Sequence, residues 1–206
     1  MNSLAFQFVE PPASGRRPAI FLDRDGIINE RVIGGYVTSW RMFRFLDGII
    51  SVLVTLSQFG LPLIVVSNQA GVGKGLMGCM TLGDITQRFV ARLTRAEAPV
   101  AAAYYCLHTA EAGCRCRKPR PGLLFQAARD WRIDLSRSIL LGDSSTDMEA
   151  ARAAGCRGIL FSPQDGSGAD RKPRNGRTAP PGVITVQQIS HVPAQAAALL
   201  ERYLYS

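Results

Sequence analysis

Two aspartates stand two residues apart in Asp23-Arg24-Asp25-Gly26, directly after the apolar run 18–23. Side chains two apart on a chain leaving an extended strand point the same way, so both carboxylates can face one pocket. Like charges that close repel unless a cation or a shared proton lies between them. Carboxylate oxygens suit Mg²⁺, and one member of such a pair can attack as a nucleophile while the other moves a proton. Taken alone, these residues support two readings: a metal-dependent catalytic pair, or a polar turn, where Asp and Gly are common. An EF-hand loop does not fit, because Ile27 occupies the place of a third ligand.

A second set is chemically softer. Cys106-x-His108, five residues, then Cys114-x-Cys116 gathers three thiols and an imidazole within eleven positions. That is a closed tetrahedral set for a structural Zn²⁺; the alternative is a loop of reduced thiols, which would be a redox liability if exposed. Cys79 and Cys156 lie outside the cluster and are expected in or near the core. Gly73-x-Gly75-x-x-Gly78 matches a dinucleotide-binding pattern but begins several residues past the strand it follows. A P-loop fails too, since Gly75 follows Lys74 where Ser or Thr is needed and Asn68 replaces the first glycine. These glycines are expected to form a flexible loop on the substrate side.

The elements that must position these groups follow from periodicity. Short apolar runs predict strands at 18–23, 62–67, 101–107, 138–143 and 157–161, with a last short one at 182–186. Helical spacing predicts helices at 47–59 with Asp47 as N-cap, 81–96 with Thr81 as cap, 121–131, 146–155 and 193–204. Wholly apolar strands alternating with helices predict a Rossmann-like three-layer α/β sandwich around a parallel sheet. Ligands gather at the carboxyl ends of such strands. Asp23 and Asp25, Ser67 and Asn68, and Asp143 each follow a strand directly. Residues 1–17 are expected to be a flexible arm, 18–206 one domain, and 163–181 a mobile basic loop carrying Arg171, Lys172, Arg174 and Arg177.

Composition narrows the classes. A chain of 206 residues that is 47% hydrophobic and 19% charged is an ordinary globular protein, not a fibrous or wholly disordered one. It has no apolar run near the roughly 20 residues of a membrane span, and its start lacks the order of a signal peptide, so a cytoplasmic protein is expected. The net charge of +8 favours anionic partners. No basic stripe interleaved with aromatics prepares a nucleic-acid groove. The charge alone does not choose among phosphorylated metabolites, nucleic acid and membrane surfaces, but the missing stripe argues against nucleic acid; no membrane partner and a monomer are expected.

The segments FLDRDGIINE (21–30), VVSN (65–68), Lys118 in CRKPRPG, and LLGDSSTDMEAA (140–151) resemble, in this order, the four motifs of the haloacid dehalogenase superfamily of phosphohydrolases. The resemblance implies that Asp23 is a nucleophile forming an aspartyl phosphate and Asp25 a general acid/base. Ser67 and Lys118 would bind the phosphoryl oxygens. Mg²⁺ would be held by the Asp23 carboxylate, the Asp25 main-chain carbonyl and Asp143, with Asp147 capping the helix that follows. The C-x-H…C-x-C-R-K-P loop resembles the small-capped subclass III branch of heptose bisphosphate and histidinol-phosphate phosphatases, which implies structural zinc on Cys106, His108, Cys114 and Cys116. The spacing between motifs leaves no room for a large cap, so loops 31–40, 68–75 and 106–117 would set specificity. GGYV (34–37) and RFLDG (44–48) resemble the heptose side of that branch, which implies that Tyr36, Asn68 and Gln69 lie beside the sugar and Arg117 binds its distal anionic end. The expected activity is Mg²⁺-dependent removal of the 7-phosphate of heptose 1,7-bisphosphate. The alternatives are a histidinol-phosphate or other small-ester phosphatase, and a catalytically silent zinc-stabilised binding protein. One departure stands: Gly142-Asp143-Ser144 replaces the Gly-Asp-Lys of the heptose enzymes.

Overall fold

A computed structural model describes residues 3–163 and 183–204; the basic stretch 164–181 therefore lies outside the described residues. The strands are β1 (Ser3–Gln7), β2 (Ile20–Leu22), β3 (Leu63–Asn68), β4 (Val100–Cys106), β5 (Ile139–Gly142), β6 (Arg157–Phe161) and β7 (Val183–Val186). The helices are α1 (Ile49–Ser57), α2 (Ala70–Gly73), α3 (Cys79–Arg95), α4 (Gly122–Trp131), α5 (Ser145–Ala154) and α6 (Val192–Leu204). The strands form one sheet in the order β1-β4-β3-β2-β5-β6-β7. All neighbours are parallel except the β1–β4 pair. From β2 the chain winds outward through β3 and β4, then returns to the other side of β2 for β5, β6 and β7. The topological switch thus lies between β2 and β5, where open α/β sheets place their ligand crevice.

Strand alternation divides the core into two layers. Ile20 and Leu22 join Ala103, Tyr105 and the apolar faces of α1, α3 and α6 on one side. Phe21 joins Ala102, Tyr104 and the α4 and α5 residues Leu124, Ala127, Trp131 and Ala150 on the other. Both faces are covered, which is why β2 to β5 read as unbroken apolar runs rather than alternating ones. Burying each such large side chain contributes about 1.5–3 kcal/mol, and together these clamp the carboxyl ends of the strands into one rigid rim.

Three local expectations are corrected. Residues 3–7 are not a loose arm: Leu4, Phe6 and Phe8 recur at period two and pack onto the core. Phe6 meets the Tyr105 ring edge-on at 6.1 Å, so β1 covers the outer edge of β4. The α1 N-cap is Gly48 rather than Asp47, because the chain enters the helix through a left-handed residue with φ +73°. The α3 N-cap is Gly78, so Thr81 falls inside the first turn. Among the described residues no helix is long and apolar enough to cross a membrane.

Candidate active site

β2 ends at Leu22, and its register carries Asp23 onto the rim, where the Asp23 N–H donates to Leu141 O of β5 at 2.9 Å. The chain then reverses. Arg24 O accepts from the N–H groups of Ile28 at 2.8 Å and Asn29 at 3.0 Å, and Gly26 N–H donates to Asn29 O at 2.7 Å. Gly26 has φ +90° and lies against the Asp143 carboxylate, where a Cβ would overlap it. Only glycine fits there.

The Asp25 carboxylate sits in a cage of donors. Arg24 Nη2 reaches Oδ1 at 2.8 Å and Oδ2 at 2.9 Å, Asn29 Nδ2 donates to Oδ1 at 2.9 Å, and Gln69 Nε2 to Oδ2 at 2.7 Å. Burial alone would raise its pKa, but the Arg24 charge and these hydrogen bonds hold it below the usual carboxylate value.

A second acidic group forms around the switch point. Asp23, Asp143 and Asp147 bring one carboxylate oxygen each within 4.8 Å of one another. Lys118 Nζ, on a side chain that is 3% exposed, lies 3.1 Å from Asp23 Oδ1 and 2.5 Å from Asp147 Oδ1, and donates to Val66 O at 2.9 Å. Burial, with the neighbouring Asp147 and Asp25, raises the Asp23 pKa against the pull of Lys118. Asp143 is pushed up to about 7 by burial and by the charge on Asp23, with Arg31 opposing at 3.1 Å. Asp143 Oδ1 is buried with no hydrogen-bond partner. A hard divalent cation such as Mg²⁺ fits this donor set: it relieves the repulsion and takes the orphaned oxygen. Asp147 has less to offer a metal, since its Oδ2 is bonded to Ser144 in a capping box that starts α5.

Ser67, the last residue but one of β3, lies beside these groups, buried, with its Oγ accepting from Gln69 Nε2 at 3.2 Å. Asn68 Nδ2 donates to Lys118 O, and Lys118 N–H donates to Asn68 Oδ1, both at 3.0 Å. A cleft of about 680 Å³ opens over the rim and is lined by Asp23, Asp25, Arg31, Tyr36, Lys74 and Arg117, among others. Tyr36 and Arg117 both line this cleft. Gln69 does not: it is 1% exposed, absent from the cleft wall, and bonded to Asp25 instead. Asn68 touches the cleft, but its amide is committed to the Lys118 backbone. The glycine loop also departs from expectation. Residues 70–73 form α2, and Gly73 packs so tightly on Leu107 O that a Cβ would collide; close packing, not flexibility, requires glycine here. Lys74 Nζ sits 5.4 Å over the Tyr36 ring. Arg31, Arg24 and Asn29 were not legible as site residues: only the fold brings Arg31 to Asp143. A larger groove of about 820 Å³, between residues 15–16 and 128–136, contains none of the predicted residues.

The soft set closes as expected. Cys106 Sγ lies 3.5 Å from His108 Nδ1, 3.6 Å from Cys114 Sγ and 3.3 Å from Cys116 Sγ. Cys116 Sγ lies 3.3 Å from His108 Nδ1 and 3.5 Å from Cys114 Sγ. These are close to the edges of a Zn²⁺ tetrahedron, which ligand bonds near 2.3 Å make about 3.8 Å long. Cys106 ends β4, and the loop leads straight into Arg117 and Lys118, so the set braces two basic residues that line the cleft. Arg120 Nη1 bonds to the carbonyls of Gly113 and Cys114 and stitches the loop to the start of α4.

Comparison with known proteins agrees with this geometry. A family model described as HAD-hydrolase-like matches residues 115–181. The chain is 37% identical over 144 residues to a D-glycero-beta-D-manno-heptose-1,7-bisphosphate 7-phosphatase from Photorhabdus laumondii, covering 66% of this chain and 76% of that protein. It is 39% identical over 147 residues to the protein of the same name from Vibrio cholerae, covering 68% and 77%. The chain belongs to the haloacid dehalogenase-like phosphatases. A crystal structure of the D,D-heptose 1,7-bisphosphate phosphatase of B. bronchiseptica, complexed with magnesium and phosphate, superposes with a TM-score of 0.78 at 30% identity, covering 88% of this chain and 98% of that one. In this haloacid dehalogenase-like phosphatase the crevice between β2 and β5 therefore carries the family's acidic and basic groups on the rim of its seven-stranded sheet.

Proposed function

We propose that this phosphatase removes the 7-phosphate of D-glycero-D-manno-heptose 1,7-bisphosphate through an aspartyl phosphate on Asp23. The observation that carries the reading is the meeting of Asp23, Lys118 and Asp143 at the switch point, beneath a cleft walled by Tyr36 and Arg117. The names of the relatives supply the substrate, as its β anomer.

The Asp23 carboxylate attacks phosphorus in line, and the P–O bond to the sugar breaks. A proton that enters on the substrate phosphate monoanion passes through Asp25 to the departing alkoxide, and Asp25 then takes one from the water that attacks the aspartyl phosphate, which frees Asp23 and inorganic phosphate. Lys118 and the Ser67 hydroxyl hold the phosphoryl oxygens. The Asp23 carboxylate, the Asp25 main-chain carbonyl and Asp143 would hold Mg²⁺, which neutralises charge on the transferring group. Cys106, His108, Cys114 and Cys116 would hold structural Zn²⁺. Arg117 binds the distal phosphate. Ser144, at the family's lysine position, caps α5 instead of adding a charge. On this reading the protein works as a monomer on a small sugar phosphate of the cytoplasm.

The test is phosphate release with Mg²⁺ from both heptose 1,7-bisphosphate anomers and histidinol phosphate, with Asp23→Asn as control. Preference for the β heptose anomer and silence of the variant are expected. Equal, weak turnover of all three would discard the heptose assignment.

A further inference from the structure

We propose that Gln69 is the positioning residue for the acid/base carboxylate: its side-chain amide ties Asp25 to Ser67 and makes no contact with substrate. The proposal rests on the phosphatase reading above.

The argument begins with where each partner of Asp25 comes from. Arg24 and Asn29 lie one and four residues away, on the same turn, and move with Asp25 if that turn pivots. Gln69 is 44 residues away, on the chain leaving β3. Among the described hydrogen bonds to this carboxylate, it is the one that fixes the turn relative to another strand. Its own backbone is anchored, because its N–H donates to Cys106 O at 2.7 Å. The donor group can serve only acceptors, and it meets two: Asp25 Oδ2 at 2.7 Å and Ser67 Oγ at 3.2 Å. By occupying a lone pair of Ser67, it leaves the hydroxyl hydrogen to donate outward, toward Asp23. One amide thereby sets the mutual position of the nucleophile, the phosphoryl donor and the acid/base.

The neighbouring residue shows the same logic with opposite direction. Successive side chains leaving a strand point to opposite sides. Asn68 braces the Lys118 backbone while Gln69 braces Asp25. A dipeptide that reads as a sugar contact is, in the fold, a pair of struts for two reacting groups.

The consequence is specific. Proton delivery needs Asp25 within hydrogen-bond reach of the leaving oxygen, and displacement by about 1 Å costs on the order of 100-fold. Only a leaving group that needs the proton should notice. The experiment compares kcat/KM for a sugar phosphate that wild type hydrolyses and for 4-nitrophenyl phosphate, whose phenolate leaves without protonation. This ratio reports steps only through loss of the leaving group. For Gln69→Met we expect a loss of roughly 30- to 100-fold on the sugar phosphate, with KM within about twofold, and less than about threefold on the aryl ester. Asp25→Asn should show the same selectivity, and the double variant should add little to it. Should Gln69→Met fail to fold, Gln69→Asn keeps a buried amide but withdraws it by one methylene, and the same selectivity is expected at about 5- to 20-fold. Equal losses on both esters would overturn the proposal in favour of a scaffold role. A raised KM on the sugar ester at unchanged kcat would overturn it in favour of a substrate contact. Wild type inert toward every ester would overturn the phosphatase reading itself, before any variant is compared.

Discussion

Gly26 and Asp143 are in direct contact: a Cβ on Gly26 would overlap the Asp143 carboxylate. The turn after β2 and the acid after β5 are therefore one unit, although 117 positions separate them. The packing explains why the acidic pair is followed by glycine, and it makes the crevice sensitive to a single methyl group.

Gly26→Ala should accordingly be more damaging than its size suggests. The positive φ alone costs about 1–2 kcal/mol for a residue with a Cβ, and the clash must also move Asp143. Lower thermal stability and at least about 100-fold less phosphate release are expected. A thermal melt and a Mg²⁺ titration of activity check this; a variant with wild-type Mg²⁺ dependence would show that Asp143 does not need its observed position.

Lys118→Met removes the one ammonium shared by two buried carboxylates, 3.1 Å and 2.5 Å away. Breaking a buried pair in this way costs about 3–5 kcal/mol. Activity should fall about 100- to 1,000-fold, as for loss of an electrostatic contact to the transferring group. Lys118→Arg should not restore it, because a planar fork cannot replace a compact ammonium held between three oxygens. Urea unfolding and steady-state kinetics read the two effects separately.

The thiols should label in a fixed order. Cys79, expected in or near the core, is instead exposed at the first turn of α3, whereas Cys156 is buried, with burial pushing its thiol up to about 12. In zinc-loaded protein at pH 8, iodoacetamide should modify Cys79 alone. After chelation Cys106, Cys114 and Cys116 should follow, and Cys156 only on unfolding. Chelation should also loosen Arg117 and Lys118, so activity should fall with the metal and return with added Zn²⁺. Mass spectrometry of the alkylated protein distinguishes these stages; early labelling of Cys106 in zinc-loaded protein would count against the site.

Arg117→Ala should separate substrates. Arg117 lines the cleft and donates to His108 O at 3.3 Å. Losing a charge-assisted contact worth about 1.5–3 kcal/mol should raise KM for a sugar bisphosphate roughly 10- to 100-fold while leaving 4-nitrophenyl phosphate nearly unaffected. Equal effects on both would place Arg117 at the reacting phosphate rather than the distal one.

Much of this was legible in the chain itself. Apolar runs ending in Asp23, Ser67 and Asp143 predict strands that deliver polar groups to one rim, because parallel strands buried on both faces must read as continuous apolar segments. The four soft ligands were legible because tetrahedral coordination demands residue types that little else demands together. The edge strand β1 was missed because the prolines at 11 and 12 and the polar start outweighed a period-two pattern of only three residues. The helix entries at Gly48 and Gly78 were missed because a side-chain cap is a stronger signal than a glycine that simply turns the chain.

What the amino-acid order determined by itself is therefore the inventory: two hard acids after a strand, a lysine before a helix, a soft tetrahedral set and the sheet that gathers them. Tertiary structure decided the partnerships. Arg31 reaches Asp143 across 112 positions, Asn68 braces Lys118 across 50, and Gln69 turns from the cleft to Asp25 across 44. None of these could be read from spacing, because a hydrogen bond depends on distance and direction in space. Those are fixed only when two strands far apart in the chain are packed side by side.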